Sequence, residues 1–390
     1  MKKKSTCILI VALALLSICL LAIGTSAIIN RRLPTGSQTV EVMSASQKAL
    51  MAEALHLRRQ LGNTIWDGWG DADIPMIAFN ESYAFITGYP EPPDGWVKIP
   101  QGSTWGGPWE IVTGEDFLGE RYYHQALLGS HQNPQAFAVQ VGDRLVSSLG
   151  TKEWMEISLR QPIENDLPPF LRAVFPYQFM VRLLLSSSDL YISAVLHESF
   201  HAFQGMNSLK RLAEAENVMS LESAYPWQSE GHPEAWREEL VLLAKALEAP
   251  SDQEARELAS QFLAARRARR ENQGLSASIV DFERQREWLE GLAKYTELAI
   301  WEAGSAAGDH QPLPEVKPDP DFHAYQNFGK HWSQEVDQLA RMASQDDEGR
   351  FYYTGMAQAF LLDRFYPEWK SMIWEEGAFI EDLLVTALDE

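Results

Sequence analysis

Two histidines four residues apart, with a glutamate beside the first, stand in the otherwise apolar or small stretch AVLHESFHAFQ, residues 194–204. On a helix, positions four apart lie one turn above each other with Cβ atoms about 5–6 Å apart, so His197 and His201 can reach one metal ion from the same face. Glu198 projects about 100° away from His197, near enough to act on a water at that ion without being a ligand. Ile192, Val195, Leu196 and Phe203 supply an apolar side that holds such a helix against a core. The competing account is two core histidines satisfied by hydrogen bonds, and a third ligand decides between them.

The pentapeptide is the H-E-x-x-H pattern of the zincin metallopeptidases. Their metzincin branch would continue with glycine at 204 and histidine at 207; the chain has Gln204 and Asn207, which excludes it. Two glutamates remain as candidates. Glu222 lies 21 residues beyond His201, near the separation at which several glutamate zincins place their third ligand. Glu290 is much more distant, but its surroundings are more distinctive.

The segment WLEGLAKYTELAIW, residues 288–301, carries Glu290-Gly291 followed by Tyr295 and Glu297, and FYYTGMAQAFLLDRF, residues 351–365, places Tyr352 three residues before Gly355. Here the chain resembles the gluzincins, particularly the aminopeptidase-N-like enzymes, with their E-G-x-x-x-Y-x-E and Y-x-x-G segments. The resemblance implies a zinc-dependent peptidase. His197, His201 and Glu290 would hold Zn²⁺, Glu198 would be the general base, and Tyr352 would donate a hydrogen bond to the oxyanion. It covers residues 188–206, 283–303 and 350–370. Two departures stand out: 88 residues separate His201 from Glu290, and no G-x-M-E-N type segment precedes His197. The first reads as an inserted helical hairpin, and the second argues against aminopeptidase specificity. The rival from another functional class is a non-catalytic, membrane-anchored binding or assembly module on a zincin-like fold; an intact Glu198 argues against it.

The elements that must position these residues divide the chain. Residues 44–61 read as a helix with Leu50, Ala54, Leu57 and Leu61 on one side. From Ile74 to about Ile157 short β-prone runs follow, among them a hairpin turning at Gly142-Asp143. After Pro169 the pattern is helical almost to the end, with helices over 234–248, 252–272 and 279–303. Ser251 and Glu254 form a capping box, and Ser278 opens the third helix. The expected fold class is α+β and zincin-like: a β-containing N-terminal part, a mainly helical catalytic part, and an N-terminal transmembrane helix. The expected divisions are an anchor at 1–32, a linker at 33–43, an α/β region at 44–168, and a helical catalytic region at 169–390 with an inserted hairpin at about 233–272.

The anchor rests on three lysines at 2–4 followed by 23 uncharged residues from Cys7 to Ile29, a helix of about 34 Å against a hydrocarbon core of about 30 Å. The lysines favour a cytoplasmic N-terminus, making the chain a single-pass cell-membrane protein with its catalytic part extracytoplasmic. Cleavage after Ala27 is the alternative. Both cysteines, Cys7 and Cys19, fall in this segment, which excludes disulfides and thiolate metal sites beyond it. Beyond residue 32 the net charge is -26, and nucleic acid is a poor partner for such a surface. The expected partners are a peptide or protein substrate and the membrane. The one basic cluster, RRARR at 266–270, reads as a solvated helix face. His232, His323, His331 and the tryptophans at 66, 69, 96, 105 and 109 are candidate cleft residues.

Overall fold

Side chains alternate across a strand, so a sheet with two apolar faces must cover both. In the computed structural model, which describes residues 17, 21, 23–99, 104–127, 137–185, 187–306, 308 and 310–389, helices cover one face and the sheet's own curl covers the other. The strands are β1 (Met76–Phe79), β2 (Tyr83–Ile86), β3 (Asp94–Lys98), β4 (Thr104–Pro108), β5 (Glu110–Ile111), β6 (Tyr123–Ala126), β7 (Phe137–Val141) and β8 (Arg144–Gly150). Their order is β4-β3-β7-β8-β1-β2-β6-β5, with only the β1–β8 pair parallel. Near closure, the Gln125 amide of β6 bridges Gly107 O of β4 and Trp96 Nε1 of β3, both at 2.9 Å. Ile77, Ile86, Trp96, Trp109, Tyr123 and Val139 pack inside the curl, while Met76 and Ala78, one residue either side of Ile77, face the helical core.

The longer helices are α1 (Ala45–Ile65), α2 (Ser188–Asn207), α3 (His232–Glu248), α4 (Asp252–Asn272), α5 (Ala277–Arg286), α6 (Leu292–Ala306), α7 (Phe328–Met342), α8 (Gly349–Phe365) and α9 (Ile380–Asp389), with shorter helices and turns between them. Local capping sets several starts: Ser44, Ser187, Ser251 and Ser276 each accept a backbone N–H three residues on. The cap of α5 is thus Ser276, two residues before the serine expected from the sequence. The single helix expected over 279–303 is interrupted by a π turn, Glu287–Gly291, between α5 and α6. The hairpin at Gly142-Asp143 forms as expected, with Gly142 at φ +62°.

The α+β class holds, but two expectations are corrected. Among the described residues no helix is long and apolar enough to cross a membrane. Of the expected anchor at 1–32, residues 17, 21 and 23–30 are helical, residues 31 and 32 form a turn, and the rest of 1–22 lies outside the described residues. Its C-terminal turns are tied to the protein: Ser26 Oγ donates to Phe175 O at 3.0 Å, and Asn30 Nδ2 donates to Phe175 O at 2.8 Å and Ala173 O at 3.1 Å. No described helix therefore supports the expected signal anchor, the single-pass cell-membrane placement, the extracytoplasmic catalytic part or the membrane as partner.

The second correction concerns RRARR. Arg266 and Arg269 are each 1% exposed, because their face of α4 turns toward carboxylates on α3, α5 and the π turn. Arg266 pairs with Glu239 and Glu287, Arg269 with Glu239 and Glu283, and Arg270 with Glu283 and Glu381. Buried charges persist only where each is paired, as here.

Candidate metal centre

His197 and His201 lie on α2, whose apolar residues Ile192, Val195, Leu196 and Phe200 anchor it in the core. Both histidines are buried. Across from them, the π turn presents Glu290. Its Oε2 stands 3.3 Å from His197 Nε2 and 3.3 Å from His201 Nε2, and one ligand atom from each of the three residues lies within 4.8 Å of the others. Among the described residues this is the group of histidines and carboxylates able to hold a metal ion. Glu222, the other candidate third ligand, sits in the 3₁₀ turn Val218–Ala224 and is outside the group.

The hydrogen bonds behind the three residues determine what they offer. His201 Nδ1 faces Gln204 Oε1 at 2.8 Å, and Gln204 Nε2 donates to Trp288 O at 2.8 Å and Leu289 O at 3.1 Å. The amide orientation being set by those carbonyls, its oxygen must accept from Nδ1–H, leaving the Nε2 lone pair toward the cluster. His197 Nδ1 faces Glu297 Oε2 at 3.4 Å, which sets the same tautomer. Arg286 Nη2 donates to Glu290 Oε1 at 2.7 Å, so Oε2 is the oxygen left to the histidines. Three acceptors of like polarity converge, and only a cation or a proton reconciles them. This donor set of two imidazoles and one carboxylate suits a divalent ion such as Zn²⁺.

The electrostatics agree. Burial opposes charge on His197, but its hydrogen bonds to Glu290 and Glu297 and the nearby Glu198 outweigh burial and push its pKa up to about 10. Burial would raise the Glu290 carboxyl, yet His201, Arg286 and His197 hold it well below the usual range. Burial also opposes charge on Arg286, but Glu290, Glu348 and Glu216 hold its pKa above the ordinary value. Behind His197, Glu297 is drawn down to about 2, against burial, chiefly by Lys294 at 3.0 Å.

Glu198 is 8% exposed, and its buried Oε2 meets no hydrogen-bond partner among the described residues. Burial raises its pKa to about 7, with His201 and His197 pulling the other way. Tyr352, on α8, stacks on His197 with ring centroids 5.8 Å apart and planes 13° apart. Burial, then the charges of Glu290 and Glu348, hold its hydroxyl well above the usual pKa, so it remains a donor. Tyr353 points elsewhere and donates to Glu335 Oε2 at 2.8 Å.

The other candidates stand apart from the cluster. Trp66 and Trp69 belong to the helical core, and Trp96 and Trp109 to the curl of the sheet; the Trp105 side chain lies outside the described residues. His232 is buried against Tyr225 and Trp236, and His331 stacks on Trp301 at 4.3 Å. His323 is 56% exposed beside Asp189. Tyr295 donates to Asp363 Oδ2 at 2.5 Å within the core. Sequence reasoning missed the supports Gln204, Arg286 and Lys294, and gave Glu297 no role. Their signal is positional: Gln204 follows His201 by three residues, Arg286 precedes Glu290 by four, and Glu297 follows Lys294 by three.

Compared with known protein families, with curated proteins and with solved structures, the chain finds no match in any of the three. The expectation of a membrane-anchored, aminopeptidase-N-like gluzincin is corrected, because no described helix is long and apolar enough to anchor the chain. The resemblance is confined to three short segments, and what the fold brings together from them is a His-His-Glu cluster capable of coordinating a metal ion.

Proposed function

We propose that the chain is a zinc-dependent hydrolase of peptide bonds, with His197, His201 and Glu290 as the metal ligands. The observation that carries this reading is the convergence of two Nε2 atoms and one carboxylate oxygen beside a buried carboxylate, Glu198, one of whose oxygens meets no hydrogen-bond partner among the described residues. These three residues would hold Zn²⁺, which would supply Lewis acidity and acidify a water toward a pKa of about 7. Glu198, buried beside the two imidazoles, would take a proton from the attacking water and return it to the leaving amine. Tyr352 keeps its proton and donates to the developing oxyanion. Glu297 and Gln204 hold the two imidazoles in the ligating tautomer, and Arg286 limits Glu290 to one ligating oxygen.

The test is metal analysis of the purified chain combined with digestion of a peptide library. One zinc per chain is expected, together with peptide turnover that falls by about 10²- to 10⁴-fold in Glu198→Gln while zinc content stays. Turnover unchanged by Glu198→Gln would overturn the assignment of the base, and a metal-free chain would overturn the whole reading.

A further inference from the structure

Glu287 opens the π turn three residues before Glu290 and is 1% exposed. Both its oxygens are engaged. Arg266 grips it with two bonds, Nη2 to Oε1 at 2.6 Å and Nη1 to Oε2 at 2.9 Å, and Gln358 Nε2 donates to Oε2 at 3.1 Å. These partners come from different parts of the molecule. Arg266 belongs to α4, while Gln358 belongs to α8, six residues after Tyr352 and three after Gly355. The Glu287 carbonyl oxygen is also the atom that a Cβ on Gly355 would meet first, at 2.6 Å. One residue of the π turn therefore joins the helical hairpin, the tyrosine-bearing helix and the carboxylate of the cluster.

We infer that Arg266 and Gln358, acting through Glu287, are positioning residues for Glu290, so that the α3–α4 hairpin sets the geometry of the metal centre. The inference rests on the metal-binding reading above. A π turn widens the helix by one residue, and its relaxation to α geometry would rotate Glu290 away from the two histidines. Metal–oxygen and metal–nitrogen bonds near 2.0–2.2 Å tolerate deviations of only about 0.2 Å, which makes affinity a sensitive gauge of that rotation. Arg269 provides the contrast. It lies on the same helix, is equally buried and pairs with Glu239 and Glu283, but has no bond to Glu287.

The experiment compares wild type, Arg266→Lys, Gln358→Leu and Arg269→Lys. It measures Zn²⁺ Kd by chelator competition, the visible absorption of the Co²⁺ form, and Tm. A lysine keeps the charge of Arg266 but loses the two-pronged grip. Arg266→Lys and Gln358→Leu should weaken Zn²⁺ binding by about 10- to 100-fold and change the Co²⁺ spectrum, while Arg269→Lys lowers Tm but holds Kd within about twofold. Should Arg266→Lys fail to fold, Gln358→Leu decides alone, because it leaves every Arg266 ion pair in place. Wild-type affinity in the folded variants, or affinity loss that follows Tm alike in all three, overturns the inference and leaves the metal site standing. A wild-type chain that binds neither ion overturns both.

Discussion

Gly291 and Gly355 touch backbone to backbone: a Cβ on Gly291 would lie 2.4 Å from Gly355 Cα, and one on Gly355 would lie 2.7 Å from Gly291 Cα and 2.6 Å from Glu287 O. Each glycine sits close to a site residue, Gly291 directly after Glu290 and Gly355 three residues after Tyr352. Their contact lets the π turn and α8 approach closely enough for Tyr352 to reach the cluster. Gly355→Ala and Gly291→Ala should each cost about 1–3 kcal/mol, because backbone atoms cannot yield as a side chain would. Both should also weaken metal binding. Gly329, on α7, has nothing among the described residues within 4 Å of its Cβ position, and Gly329→Ala should hold or slightly raise Tm. Thermal unfolding and metal titration of the three variants check this, and a Gly355→Ala chain as stable and as metal-avid as wild type would count against the packing argument.

Glu290, and not Glu222, should complete the metal site. Glu290→Ala removes the only carboxylate oxygen found within 3.3 Å of both histidine Nε2 atoms among the described residues, and the zinc content of the purified variant should fall toward zero. Glu222→Ala should retain one zinc per chain. Zinc retained by Glu290→Ala and lost by Glu222→Ala would reverse the assignment.

The adjacent tyrosines should separate cleanly. Tyr352→Phe deletes the donor beside His197 and should reduce kcat by on the order of 10²-fold with zinc content and Tm near wild type. Tyr353→Phe loses a hydrogen bond to Glu335, a partner of Lys294, and should act mainly on stability, by about 1 kcal/mol. Steady-state kinetics beside unfolding curves give the answer. A kcat loss confined to Tyr353→Phe would shift the oxyanion donor by one residue.

Metal uptake should release protons. Without metal, the His197 pKa lies near 10, so at pH 7 the ring carries a proton that must leave before Nε2 can ligate. His201 is also raised, since Glu290 outweighs the opposing effect of burial. The sign follows from these raised values: apparent Zn²⁺ affinity should climb with pH below about 10, by about tenfold per unit for each proton displaced. Calorimetry in buffers of different ionisation enthalpy measures that proton count. A count of zero between pH 6 and 8 would exclude a protonated His197 in the metal-free chain.

The local part of the site was legible in the sequence because it depends on one helix. The spacing of His197 and His201 places both rings on one face whatever surrounds them, and the helix starts at Ser44 and Ser251 and the turn at Gly142 are equally local. The third group was different. Glu290 lies 93 residues from His197, and only packing of the π turn against α2 and α8 brings its Oε2 to the two Nε2 atoms. Sequence pattern favoured Glu290 over Glu222 without any physical reason, and the reason is tertiary: the Gly291–Gly355 contact and the grip of Arg286 on Oε1. The same limit explains the misread of Arg266 and Arg269. Charge pattern along α4 records which residues share a face, whereas solvation depends on what lies opposite, and Glu239, Glu283 and Glu287 arrive from elements elsewhere in the chain. At the N-terminus, hydropathy registered apolar length from Cys7 to Ile29, but the bonds from Ser26 and Asn30 to residues 173–175 belong to tertiary structure. A helix carries its own spacing in its sequence; which carboxylate meets its histidines is decided by packing between segments far apart in the chain.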